Sequence, residues 1–315
     1  MNNYTKNIRK ISSNLLEDGR VDLVLGFKRG TLPMASVPGI ARTPEEAQGF
    51  VWDTNCRLNL ANYITDQKEK IGIIAKGCDS RNIVNHIMEN KIPRDQVYII
   101  GVPCTGMVDK NRIRALLDDE IKEFKEEGEV ILIRGAGQER VLDKEAYLRD
   151  NCKICTHRNP VIHDDLVGAL VKEQKIEDPF RDVAAIEAME GEERWNHFEG
   201  LLSNCIRCYA CRNACPLCYC PACFVDESKP QWIGKGQDPT DIRTFHFLRA
   251  YHCAGRCTDC GACEEACPMD IQVRDFTRKL VKDSFEIYGW EPGLTLDRRP
   301  PLETFKPEDS DKFIK

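Results

Sequence analysis

Eight of the 17 cysteines in this 315-residue chain stand in two runs of one spacing. The first is Cys205-x-x-Cys208-x-x-Cys211-x-x-x-Cys215-Pro216, and the second is Cys257-x-x-Cys260-x-x-Cys263-x-x-x-Cys267-Pro268. This spacing wraps three thiolates around one 4Fe–4S cube and sends the fourth cysteine to a second cube. The crossed assignment puts Cys205, Cys208, Cys211 and Cys267 on one cluster, and Cys257, Cys260, Cys263 and Cys215 on the other. Structural zinc instead takes two Cys-x-x-Cys pairs rather than triplets. Pro216 and Pro268 end each run and turn the chain away from the cube. The chemistry that follows is the movement of single electrons.

A third group is spread over the first half. Cys78 stands in Lys76-Gly77-Cys78-Asp79 and Cys104 in Val102-Pro103-Cys104-Thr105-Gly106, each just after an apolar run. If both runs are parallel strands, the two thiols meet at the C-terminal edge of the sheet, where ligands bind in such folds. A helix start, Lys76 and Arg81 would favour thiolate there. Cys152-x-x-Cys155 supplies two more sulfurs. Four thiols can complete a third cluster. The alternative is a set of unrelated buried cysteines with a redox Cys-x-x-Cys.

Cys218, Cys220, Cys223 and Cys253 then remain, with Cys56. The four could bind a further cluster or a zinc ion. They could equally form a shell of thiols that tunes the adjacent cubes. Cys56 either substitutes for a ligand in the first half or is buried near it. Arg207, Arg212 and Arg256 lie among the runs, where they offset cluster charge or are ordinary solvated side chains. His157 and His163 flank Cys155 and read as structural. The turns at Gly26–Gly30 and Gly135–Gly137 fall short of a dinucleotide fingerprint.

The elements that must hold these residues divide the chain. Short apolar runs at 21–27, 71–75, 97–102 and 130–133 predict parallel strands covered on both faces. Ile83, Ile87 and Met88 share a helical face. Ile113, Leu116, Leu117, Ile121 and Phe124 form a helical stripe, with Asp109 as N-cap and Gly128 as stop. The fold class expected is an α/β N-terminal domain with a mostly parallel sheet, followed by an all-α dicluster ferredoxin domain. Residues 1–165 form the first, 166–200 a helical linker, 201–290 the second, and 291–315 an extended arm on a partner or in solvent. Helices are expected near 240–251 and 271–287.

Composition narrows the partners. The net charge of −6 argues against nucleic acid. No stretch approaches the roughly 20 apolar residues of a membrane span. No secretory leader is visible at the N-terminus. An odd cysteine count at metal spacing suits a reducing cytoplasm better than a disulfide scaffold.

Residues 20–170 resemble the beta subunits of deazaflavin-coenzyme-reducing hydrogenases and formate dehydrogenases. The likeness rests on Lys76–Asp79, on Cys104–Gly106, and on Cys152-x-x-Cys155 followed by an Asp-containing segment ending at Gly168. It implies that Cys78, Cys104, Cys152 and Cys155 bind a cluster. It also implies a flavin, FAD, in the α/β domain. The chain departs from the family in its shorter α/β domain and its C-terminal ferredoxin module, which puts that flavin in question. The second half resembles the helical dicluster subunit of heterodisulfide reductases and the iron–sulfur subunit of succinate dehydrogenases.

With no nucleophile, base pair or substrate-metal motif, the chain reads as an electron-transfer subunit of an anaerobic oxidoreductase complex. It would carry at least two 4Fe–4S clusters, with a third and a fourth at the remaining cysteine groups. Expected partners are a flavin-containing heterodisulfide-reductase-like subunit, a hydrogenase or a formate dehydrogenase, and soluble ferredoxin. Two alternatives stand beside this reading. One is a flavin subunit that itself oxidises or reduces a deazaflavin or nicotinamide. The other is a cluster-bearing scaffold or redox sensor.

Overall fold

A computed structural model describes residues 3–304, except the side chain of Leu302. Its first half is built on a five-stranded sheet. The strands are β1 (Leu23–Arg29), β2 (Ser36–Ala41), β3 (Ile71–Ala75) and β4 (Val97–Gly101), completed after an excursion by a two-residue edge strand, Asp165–Leu166. The spatial order is β2-β1-β3-β4-edge. All neighbours are parallel except β1 and β2, which form an antiparallel hairpin. All five residues of β3 are buried, as expected of a strand covered on both faces. The helices Asn3–Glu17 and Gly77–Met88 accompany this sheet, and Ile8, Leu15 and Ile83 join its core.

The expected fourth parallel strand is elsewhere. Val130–Arg134 is the central strand of a separate antiparallel sheet, between Glu123–Glu127 and Glu139–Asp143. Its burial alternates, with Ile131 and Ile133 inside and Val130 and Arg134 outside. That period-2 pattern marks a sheet with one wet face.

The long helix expected after Asp109 is also corrected. Asp109 does cap a helix, accepting from the Asn111 and Arg112 amides, but the helix spans only Lys110–Arg114. Phe124 lies in a strand. The stripe residues still pack in one cluster with Ile131, Ile133 and Leu142. A helix and a hairpin bring together what one helix was expected to align. Gly128, at φ +63°, makes the hairpin turn rather than a helix stop.

The second half is helical. Arg181–Glu187 and Gly191–Leu202 fill the expected linker, and Pro239–His252 and Arg274–Tyr288 frame the cysteine runs. Phe245 and Phe276 are buried, and Phe198 packs against Phe276 with ring centroids 4.7 Å apart. The stretch after Trp290 is not a free arm as far as residue 304. Arg81 donates to the Pro292 carbonyl at 2.9 Å, and Arg299 to that of Met88 at 2.9 Å. Pro307 and the rest of the tail lie outside the described residues. No helix among the described residues is long and apolar enough to cross a membrane.

Candidate metal centre

β3 and β4 pair in register, Ala75 opposite Gly101, so their following loops leave one edge of the sheet. Cys78 enters the first turn of the helix Gly77–Met88, and Cys104 follows β4 by three residues. The Asp79 carboxylate accepts from the Lys76 and Leu60 amides and holds buried Lys76 at 2.8 Å. Gly77 is required sterically, because a Cβ there would lie 2.1 Å from the His157 carbonyl oxygen. Cys152 and Cys155 arrive on and just after the short helix Asp150–Lys153.

The four thiols line one cavity of about 470 Å³. Burial, aided by the neighbouring Cys152, pushes Cys104 up to about 12 and Cys155 up to about 11. Burial and Asp79 hold Cys78 well above the ordinary thiol value. Such thiols stay protonated by themselves, and the charge of a bound metal centre is what would deprotonate them. Two backbone amides already face the sulfurs. Gly106 N–H donates to Cys104 Sγ and Met107 N–H to Cys152 Sγ, each at 3.4 Å.

Cys257 and Cys260 line the same cavity. The C-terminal sites therefore begin where the α/β site ends. The two runs repeat at the level of the backbone. Arg207 and Asp259 occupy matching positions at φ +52° and +55°, and Tyr209 and Gly261 at +61° and +71°. Short helices follow at Ala210–Asn213 and Ala262–Glu265. Left-handed backbone at three non-glycine residues is costly, and both runs carry it at the same two positions.

The neighbours of each sulfur are crossed. Cys215 shares a small cavity with Cys257, Cys260 and Cys263. Burial, and then the charge of Cys215 among others, pushes Cys260 up to about 12. Burial raises Cys211, with Cys205, Cys267 and Cys208 adding to it. Cys267 Sγ accepts from the Ile271 amide at 3.4 Å, and Cys205 Sγ lies 3.4 Å from His246 Nε2.

The remaining cysteines separate. The sulfurs of Cys215, Cys218 and Cys253 lie within 4.8 Å of one another. The closeness of Cys218 and Cys253 lowers Cys215 well below the ordinary thiol value, and the same closeness raises Cys218 and Cys253. Cys220 is exposed, Cys223 is half-buried beside Arg212, and neither joins the group. Cys56 is fully buried and donates weakly to the Val51 carbonyl at 3.8 Å, off the cavity.

The flanking basic residues are already partnered. Arg207 donates to the Gly234 and Gly236 carbonyls, Arg212 meets Asp226 at 2.8 Å, and Arg256 meets Glu89. His157 lies 3.6 Å from Glu291, and His163 packs on Gly101. Sequence reasoning missed Arg249. It is 4% exposed and touches the Cys211 carbonyl at 3.0 Å. Its Nε is buried without a partner. The available signal was its place one helical turn before Cys253.

A family model described as a 4Fe-4S dicluster domain matches residues 201–271. The F420-dependent formate dehydrogenase subunit beta of Methanocaldococcus jannaschii is 25% identical, over 91% of each chain. The F420-dependent formate dehydrogenase 1 subunit beta of Methanococcus maripaludis is 25% identical, over 91% of this chain and 90% of its own. Among solved structures, a chain of the F420-reducing NiFe hydrogenase complex from Methanosarcina barkeri aligns over 64% of this chain and 90% of its own. Its identity is 13% and its TM-score 0.39. The resemblance read from three cysteine motifs thus extends along nearly the whole chain.

Proposed function

We propose that this chain is an iron–sulfur electron-transfer subunit of an anaerobic, cytoplasmic oxidoreductase complex. The observation that carries the reading is the shared cavity. Cys78, Cys104, Cys152 and Cys155 face the same space as Cys257 and Cys260, so the candidate centres adjoin rather than stand apart. A 4Fe–4S cluster, when bound, supplies one-electron reduction and oxidation.

The chain's own residues fit such groups. Cys205, Cys208, Cys211 and Cys267 would hold one cluster. Cys257, Cys260, Cys263 and Cys215 would hold the second, and Cys78, Cys104, Cys152 and Cys155 the third. Buried thiols facing backbone amides, and a buried guanidinium with an unpartnered Nε, are the features such groups would satisfy. Asn82 and Asn151 brace the junction. Asn82 donates to the Cys78 carbonyl and Thr258 Oγ1, and Asn151 to the Cys260 carbonyl. Cys218 and Cys253 are read as thiols flanking the cluster ligand Cys215 rather than as part of a fourth cluster, because Cys220 and Cys223 stand outside that group. The partners proposed are a formate dehydrogenase, a hydrogenase or a heterodisulfide-reductase-like flavin subunit, from the likeness to the two beta subunits.

Anaerobically purified full-length protein should contain about twelve irons and twelve sulfides. Cys152→Ser combined with Cys155→Ser should remove about four of each and leave the rest. About sixteen irons would restore a fourth cluster at Cys218, Cys220, Cys223 and Cys253, and one zinc would make that group a structural site. An iron count unchanged in the double variant would sink the α/β centre. Stoichiometric yellow flavin, FAD, would select the hydride-exchanging alternative.

A further inference from the structure

We propose that Arg249 is a shared electrostatic anchor for the two clusters of the dicluster module and holds both reduction potentials up. The inference rests on the cluster assignment above. Arg249 lies in the last turn of the helix Pro239–His252. Burying a guanidinium costs several kcal/mol unless opposite charge and hydrogen bonds offset it. Here the hydrogen-bonding is incomplete: Nη2 reaches the Cys211 carbonyl, and Nε reaches nothing. Among the described residues no carboxylate forms an ion pair with it. Arg249 lines the small cavity of Cys215, Cys253 and Cys263 on one side and reaches the Cys211 carbonyl on the other.

Three of those cysteines divide between the two proposed centres. Cys211 is a ligand of the first cluster, whereas Cys215 and Cys263 are ligands of the second. One cation therefore faces two thiolate cages from between them. The other arginines around the cysteine runs have carboxylate partners: Arg256 has Glu89, Arg274 and Arg278 share Asp259, Arg212 has Asp226, Arg243 has Glu199, and Arg207 has Asp241 at 3.7 Å. Among these arginines of the described residues, Arg249 is the one that forms no ion pair, so its charge is balanced by no neighbouring carboxylate. A thiolate-ligated cube gains negative charge on reduction, so a fixed cation beside it stabilises the reduced form more than the oxidised. The same charge reduces the mutual repulsion of two anionic centres held close together.

The test uses full-length, anaerobically purified protein and the variants Arg249→Met, Arg249→Gln and Arg249→Lys. Iron and sulfide are counted first, and each cluster is then followed by EPR during a redox titration. In the neutral variants both dicluster centres should become at least tenfold harder to reduce, a fall of 59 mV for one electron. The α/β centre should move by less than a third of that, and Lys should restore most of the loss. Full iron with unmoved potentials overturns the proposal, as does a shift confined to one centre. If the neutral variants lose iron, the Lys variant decides. Retained iron there supports the charge, and a loss equal to that of Met overturns it. Unmodified protein without two dicluster signals would instead sink the cluster assignment itself.

Discussion

Cys215 follows the first run in sequence and sits among the thiols of the second in space. Cys215→Ser should therefore damage the cluster of Cys257, Cys260 and Cys263 more than its own neighbour, and Cys267→Ser should do the reverse. EPR of each variant, with iron counts, separates the two centres. If each change harms only the cluster of its own run, the crossed pairing is wrong. Gly77 is a second position where one atom decides. A Cβ there meets backbone, not a yielding side chain. Gly77→Ala should cost about 1–3 kcal/mol, as overpacking does. A thermal midpoint unchanged from the unmodified protein would show that the loop at His157 simply moves aside.

The helix Gly77–Met88 carries its interface on polar residues. Asn82, Asn85 and His86 are buried. Asn85 donates to the Arg256 carbonyl at 2.8 Å, and His86 Nε2 lies 2.7 Å from that of Pro216. A carbonyl acceptor assigns a proton to Nε2, and burial of the ring disfavours a second proton on Nδ1. Burial lowers the pKa of His86 below the ordinary histidine value. Below about pH 6.5 the unfolded chain takes up a proton that the folded chain refuses. This contribution to stability is complete above that pH and is lost as pH falls toward the depressed folded value. His86→Gln keeps a donor and removes the titration, so its thermal midpoint should vary less between about pH 7 and about pH 5.5. A variant with the same slope as the parent would place the pH dependence elsewhere.

At the scale of the molecule, the two halves are joined by charge as well as by the cavity. Glu265, on the second cysteine run, meets Arg57 at 2.9 Å, Lys110 at 3.3 Å and Arg149 at 4.0 Å, all from the first half. Burial would raise its pKa, but these three cations outweigh that and lower it. Glu265→Gln leaves two buried guanidinium groups without their carboxylate and should cost about 3 kcal/mol. Urea unfolding of the cluster-loaded protein measures this, and a midpoint unmoved by the change would mean that the halves are held by other contacts. Cys223→Ser should spare the iron of the α/β site, because Cys223 packs in the helical core remote from that cavity. Loss of α/β iron in that variant would mean that the two sites are one structural unit.

The dicluster module was legible in the spacing of its cysteines, because cubane ligation is local: three sulfurs within seven residues are set by chain geometry alone. That Cys78 and Cys104 share an edge was legible only on the condition that their apolar runs are parallel neighbours, a condition that β3 and β4 meet and the run at 130–133 does not. The sequence by itself did not determine the backbone of 110–143. An apolar stripe at helical spacing also suits a short helix followed by a hairpin, and only the packing of Ile113 and Leu117 on Ile131 and Ile133 chose between them. The contacts between distant segments placed the α/β cysteines against Cys257 and Cys260, laid residues 291–304 on the first half, and set buried Arg249 between the Cys211 carbonyl and the cavity of Cys215 and Cys263. Those facts depend on contacts across more than a hundred residues, or on which face of a helix is buried, and no local spacing records either.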